Sequence, residues 1–131
     1  RPLDDVLSQA DIISLHVPLT PDTQNLIDRR AFSLMKPTAV LINTCRGGVV
    51  DEPALVEALR TGKIMAAGLD TFAKEPAEAE NLLFKMDNVV ASPHIGSRVF
   101  ENMPNMANHC FANMLKVLRG EPLAEADVIR I

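Results

Sequence analysis

Four short apolar runs, residues 11–17, 39–44, 65–72 and 89–92, set the strongest limit on how this 131-residue chain can fold. Each is rich in Ile, Val, Leu or Ala and bounded by turn-forming residues, the pattern of a buried β-strand. Helical patterns lie between the early runs. Asp28 is placed to cap a helix through Met35, with Ile27, Ala31, Leu34 and Met35 on one face and Pro37 as its stop. Asp51 is a second N-cap, with Pro53 in the first turn, Leu55, Ala58 and Leu59 as the apolar face, and Gly62 at the end. Residues 4–9 read as the tail of an earlier helix. Strand followed by helix, repeated four times, predicts an α/β fold with parallel strands joined by right-handed crossovers.

The segment 73–88 reads as a long loop anchored to the core by Leu82-Leu83-Phe84. After the fourth run comes the strongest helical pattern, residues 101–119. Met103, Met106, Ala107, Cys110, Phe111, Met114, Leu115 and Leu118 follow helical spacing, Pro104 lies in the first turn, and Gly120 with Pro122 closes it. That stripe reads as core or dimer packing, and His109 beside it as structural or interfacial. Residues 123–131 read as a tail.

Composition narrows the function. With 47% apolar residues the chain can build one real core. A net charge of -4, and aromatic residues that are all Phe, argue against a nucleic-acid groove. No apolar stretch approaches the roughly 18–20 residues that cross a bilayer, and the N-terminus has no signal-peptide layout. A cytoplasmic protein without membrane partners is therefore expected. Cys45 and Cys110 form neither a disulfide framework nor a zinc site, and no metal is expected.

Three polar residues each follow one of the strand patterns: Arg46, Glu75 and His94. Ligands of open α/β sheets bind outside the carboxyl ends of the strands, so a guanidinium, a carboxylate and an imidazole could meet there. A G-x-G-x-x-G loop, the usual pyrophosphate cradle, is absent from the sequence.

Four signatures, in order, extend this reading. They are His16-Val17-Pro18-Leu19-Thr20 with Thr23; Ile42-Asn43-Thr44-Cys45-Arg46-Gly47-Gly48-Val49-Val50-Asp51-Glu52; Gly68-Leu69-Asp70-Thr71-Phe72 with Glu75-Pro76; and Ser92-Pro93-His94-Ile95-Gly96-Ser97. Together they resemble the D-isomer-specific 2-hydroxyacid dehydrogenases, which interconvert 2-oxo acids and D-2-hydroxy acids with NAD or NADP. The resemblance implies a Rossmann-type doubly wound parallel sheet, of which the chain would hold the later strands without the first βαβ units. Residues 1–100 would be the C-terminal portion of the NAD(P)-binding domain, and residues 101–131 a helix and tail returning toward the substrate domain. An isolated piece of this kind is expected to be inactive and to bind coenzyme weakly or not at all. A homodimer is expected from the family and from the sheet edge and helix faces that missing strands would expose.

Reduction of a 2-oxo acid needs a grip on the carboxylate, a proton donor for the carbonyl oxygen and a nicotinamide over the carbon. The fork of Arg46 suits the first task, and Gly47 and Gly48 are expected to leave room for a ligand beside it. His94 suits the second, because an imidazole exchanges protons near neutral pH. Glu75, if ionised beside that ring, would stabilise the imidazolium and fix its tautomer. By resemblance, Asp70 contacts the nicotinamide carboxamide, while Thr44, Cys45, Arg46, His94, Ile95, Gly96 and Ser97 line the same end and His16, Val17 and Pro18 flank the coenzyme. Blander readings stand beside these: Arg46 as a surface ion-pair partner, His16 as a satisfied strand-end histidine, Asp70 as a strand-end carboxylate. The rival function is an NAD(H)-sensing, corepressor-like binding module on the same fold.

Overall fold

The structure, a computed structural model, describes residues 1–128. Two compact units divide the chain, Arg1–Gly96 and Ser97–Ile131. The first is built on helix α1 (Leu3–Gln9), strand β1 (Ile12–Leu15), helix α2 (Arg29–Leu34), strand β2 (Val40–Asn43), helix α3 (Glu52–Arg60), strand β3 (Ala66–Leu69) and strand β4 (Val89–Ala91). The four strands form one sheet in the order β1-β2-β3-β4, all parallel.

Helices start where the sequence places them. Asp28 Oδ1 accepts from the Ala31 amide at 2.8 Å and Asp51 Oδ1 from the Ala54 amide at 3.1 Å, each satisfying an amide that a helix start leaves without a partner. The crossover from β3 to β4 is the long loop expected over residues 73–88, and it interrupts the strand–helix alternation. It is a loop carrying one turn of 3₁₀ helix, Leu82–Lys85, and only Leu83 of the expected Leu82-Leu83-Phe84 anchor is fully buried. Phe84 packs instead edge-on against Phe72, ring centroids 5.2 Å apart.

Register sorts the residues into two faces. Ile13, Leu41, Ala67 and Val89 lie side by side, and the next inward row is Leu15, Asn43, Leu69 and Ala91. Against the inward rows pack Leu7 of α1, Ala31 and Phe32 of α2, and Leu55 and Leu59 of α3, in one core with Ile27, Ile64 and Leu83. Burying each such side chain contributes about 1.5–3 kcal/mol. The opposite rows run through Ile12, Val40 and Ala66, and through Ser14, Ile42, Gly68 and Val90. There Ile12 is 65% and Val90 76% exposed, so the helices of this unit cover one face only.

Strands end earlier than the apolar runs do. Pairing stops at Leu15, Asn43 and Leu69, yet two further amides continue the ladder: Asp70 N donates to Asn43 O and Ser92 N to Leu69 O, both at 2.9 Å. Asp70 and Ser92 thus stand next to each other one step beyond the sheet.

The second unit is dominated by helix α4 (Asn102–Leu118), with Pro104 in its first turn and Gly120, at φ +69°, beyond its end. None of its residues is buried, and the Met and Phe stripe runs along it. His109 Nε2 lies 2.7 Å from Asp127 Oδ1, and Asn113 Nδ2 is 3.3 Å from the same nitrogen; this ties the turn Glu125–Asp127 to the helix. Residues 129–131 of the expected tail lie outside the described residues. No helix among the described residues is long and apolar enough to cross a membrane.

One buried group in the first unit has no partner among the described residues, the Thr71 hydroxyl. A buried, unpaired hydroxyl costs stability that an apolar group of the same shape does not. Thr71→Val should raise the denaturant midpoint by the equivalent of about 1 kcal/mol with an unchanged slope. A lowered midpoint would show instead that the hydroxyl is satisfied.

Candidate active site

Arg46 is positioned by a buried amide and a close backbone crossing. Asn43, 1% exposed at the end of β2, accepts from the Cys45 amide through Oδ1 at 3.1 Å and donates through Nδ2 to the Arg46 carbonyl at 3.0 Å. The chain therefore folds back over Asn43 and presents Arg46 at the sheet edge. Cys45 Sγ also donates to Asn43 Oδ1, at 3.1 Å, which makes this thiol part of the turn. Beyond it, Gly48 O accepts from Asn25 N and Val49 O from Ile27 N, clamping the turn from the other side.

Gly47 corrects one expectation. A Cβ on it would lie 1.9 Å from the Phe72 carbonyl carbon and 2.4 Å from the Ala73 nitrogen. The space beside this glycine is filled by the β3–β4 loop and is not open to a ligand. At Gly48 a Cβ would meet the Leu19 side chain at 3.0 Å, so that side is also occupied by the protein.

The β3–β4 loop delivers Glu75. Its Oε1 accepts from the Phe72 amide at 3.0 Å, and its Oε2 lies 2.7 Å from His94 Nδ1. Glu52, at the start of α3, steadies the same loop by accepting from the Ala73 amide at 3.0 Å and from Asn81 Nδ2 at 2.7 Å. The bond from His94 depresses the Glu75 carboxyl most, followed by the Phe72 amide; burial opposes them, and the charges of His94 and Arg46 add to the depression. Arg46 and His94 thus both bear on one carboxylate. With Nδ1 turned to Glu75, a neutral ring donates there and presents Nε2 as its acceptor, while a protonated ring donates from both nitrogens.

Asp70 lies beneath the His94 loop. It is 4% exposed, and its Oδ1 accepts from Ser92 Oγ at 2.6 Å and from the Ile95 amide at 2.9 Å, while Oδ2 accepts from the Gly96 amide at 2.8 Å. Burial raises this carboxyl, but the Ser92, Ile95 and Gly96 bonds, aided by His94, outweigh it and hold it below the usual carboxylate range.

The remaining expected residues divide between two cavities. His16, Val17, Pro18 and Leu19 line one of about 550 Å³ together with Cys45 and Arg46. The other, about 670 Å³, holds Glu75 and His94 with Phe72, Pro76, Phe84 and Pro93. His16 Nε2 is also 2.8 Å from Ser14 Oγ, so its strand-end hydrogen bond and its cavity position coexist. Thr23 Oγ1 donates to Pro18 O at 2.7 Å and accepts from Thr20 N at 2.8 Å, shaping that loop. Thr44 is exposed, and Ser97 opens the second unit. Among the described residues no cluster of His, Cys, Asp or Glu is arranged to hold a metal. Sequence reasoning missed Asn43, Glu52, Asn81 and Ser92 as organisers of the site. Only Asn43 had a usable signal, an amide at an inward-facing strand position.

Fold and edge together define a Rossmann-type α/β unit built around a carboxylate–histidine pair with a guanidinium beside it. The chain belongs to the D-isomer specific 2-hydroxyacid dehydrogenase family: residues 1–96 match that family's NAD binding domain. It is 47% identical to a glyoxylate reductase of Pyrococcus furiosus over 134 aligned positions, covering all of this chain and 40% of that protein. A D-isomer specific 2-hydroxyacid dehydrogenase from Lactobacillus delbrueckii ssp. bulgaricus, solved in an NAD complexed form, superposes with a TM-score of 0.89 at 38% identity, over 94% of this chain and 42% of that one. D-lactate dehydrogenase from Aquifex aeolicus, solved with NAD and lactic acid, gives 0.86 at 34% identity, over 92% and 41%. The chain thus spans about two-fifths of the length of these relatives.

Asp70 and Glu75 both titrate lower in the folded chain than in the unfolded one. The unfolded state then binds more protons, so the stability they supply is full above the unfolded values, about 3.9 and 4.3, and is lost as pH falls through the depressed folded ones. Acid unfolding followed by circular dichroism should steepen below about pH 4, with a shallower limb in Asp70→Asn. Equal limbs in both proteins would contradict the assignment.

Proposed function

We propose that these residues form the catalytic edge of the coenzyme domain in a longer NAD- or NADP-dependent 2-hydroxyacid dehydrogenase, acting on a small 2-oxo or D-2-hydroxy acid. The observation that carries this reading is the 2.7 Å contact between Glu75 Oε2 and His94 Nδ1, with Arg46 close enough for its charge to act on the same carboxylate. Fit to the coenzyme rests on the cavity lined by His16, Val17, Pro18, Leu19, Cys45 and Arg46, which offers a ring both apolar surface and polar groups; the sequence carries no glycine-rich pyrophosphate loop. His16, Thr44, Ile95, Gly96 and Ser97 complete the coenzyme-facing set in this reading, while Asp70, expected to contact the nicotinamide carboxamide, is buried and spends both oxygens on Ser92, Ile95 and Gly96. When bound, a reduced nicotinamide supplies the hydride.

The chain's own residues do the rest. Arg46 binds the substrate carboxylate through its fork and polarises the neighbouring carbonyl. His94 Nε2 would donate a proton to the carbonyl oxygen of the 2-oxo acid in reduction and would remove the hydroxyl proton of the 2-hydroxy acid in oxidation. Glu75 holds the ring at Nδ1 and stabilises the imidazolium. The protein is read as cytoplasmic and homodimeric, without nucleic-acid or membrane partners, on its acidic charge and on the exposed apolar residues of α4.

In the complete protein, His94→Ala should lower kcat by about 10²–10⁴-fold with NADH affinity by calorimetry unchanged. Arg46→Ala should chiefly raise KM for the 2-oxo acid. Unaltered turnover in His94→Ala would overturn the reading, and coenzyme binding by a wild-type protein with no turnover of any 2-oxo acid would favour the sensing module.

A further inference from the structure

His94 occupies an unusual backbone conformation, φ +53°, in the left-handed region that residues bearing a Cβ seldom adopt. Something must hold it there, and its partner Glu75 is a weak candidate. That pair is half exposed, with side chains 45% and 37% accessible, and such contacts between exposed groups fix geometry poorly. Glu75 also grips the ring and leaves the backbone untouched.

The chain on both sides of His94 converges on one buried carboxylate, through a side chain before it and backbone amides after it. Before it, Ser92 Oγ donates to Asp70 Oδ1 at 2.6 Å; after it, the Ile95 and Gly96 amides donate to Oδ1 and Oδ2 at 2.9 and 2.8 Å. Two successive amides beside a left-handed residue form an anion nest, and here the anion is the protein's own Asp70. The fit leaves no slack, since a Cβ on Gly96 would lie 2.9 Å from Asp70 Oδ2. Ser92 is itself fixed to the sheet through its amide, bonded to Leu69 O at 2.9 Å.

We propose that Ser92, acting through Asp70, is a positioning residue that aims the His94 ring so that Nδ1 meets Glu75 and Nε2 faces the substrate. The consequence for catalysis rests on His94 being the acid–base group proposed above, whereas the aiming itself does not.

The test separates the two. Ring ¹⁵N resonances report which nitrogen of a neutral histidine carries the proton, and His94 is distinguished from His16 and His109 by the signal lost in His94→Gln. Wild type should show the Nδ1–H form held by Glu75. Ser92→Ala should relax His94 toward the mixture of a free imidazole, and Ser92→Thr should restore it; Ser92→Cys serves the same comparison if the alanine variant does not fold. In the complete enzyme Ser92→Ala should also lose about tenfold or more in kcat, with KM for the 2-oxo acid within about twofold and rescue by threonine. An unshifted tautomer in the alanine or cysteine variant overturns the proposal, because Glu75 would then suffice. A shifted tautomer with undiminished turnover supports the tether and overturns the acid–base role of His94.

Discussion

The site depends on one place where two stretches of main chain touch. At Gly47 the turn leaving β2 passes so close to Phe72 and Ala73 that even a methyl group would overlap the Phe72 carbonyl. This contact brings the Arg46 turn against the loop that carries Glu75, and through Glu75 against His94. That crossing brings a guanidinium, a carboxylate and an imidazole from the ends of three neighbouring strands to one edge, where Glu75 meets His94 and the Arg46 charge adds to the lowering of the Glu75 carboxyl. The sheet supplies the plane; the missing side chain at Gly47 brings the loops together on it.

A second layer lies just below. Asn43 and Asp70 are buried polar residues at the carboxyl ends of adjacent strands, joined by the bond from Asp70 N to Asn43 O. Each spends its side chain on a neighbouring loop, Asn43 on the Arg46 turn and Asp70 on the His94 loop. Buried polar groups are costly unless paired, and these are paired with the very backbone segments that must not drift. Arg46, Glu75 and His94, the groups set against substrate in the proposed function, are exposed, whereas Asn43 and Asp70, which hold their loops, are buried.

Much of this was legible in the sequence. Four apolar runs became four parallel strands, the first three joined by helices and the last reached by a long loop, and both Asp caps followed from local rules at helix starts. The triple of Arg46, Glu75 and His94 was readable because all three follow strands whose carboxyl ends must lie along one edge. Strand ends were less legible: the apolar run 65–72 continues past Leu69, but pairing stops there because Asp70 turns to serve the next loop. The meaning of Gly47 was hidden as well. A glycine beside a candidate site arginine reads as room for a ligand, and only the fold shows the Phe72 backbone in that space. Ser92 and Glu52 stand inside two of the signatures, but their roles as organisers were hidden, since their partners lie 22 and 21 residues away. The apolar stripe of α4 was correctly helical, yet which surface it serves is not a property of periodicity.

In the proposed function Arg46 and His94 act on one 2-oxo acid molecule, the first on its carboxylate and the second on its carbonyl oxygen. The most direct measurement follows deuterium from a nicotinamide coenzyme labelled at C4 into product, using the complete protein and a pair of carbonyl substrates that differ only in the presence of the carboxylate. The account predicts deuterium at C2 of the 2-hydroxy acid and none in the product lacking a carboxylate. Transfer indifferent to the carboxylate, or no deuterium at C2, would contradict it.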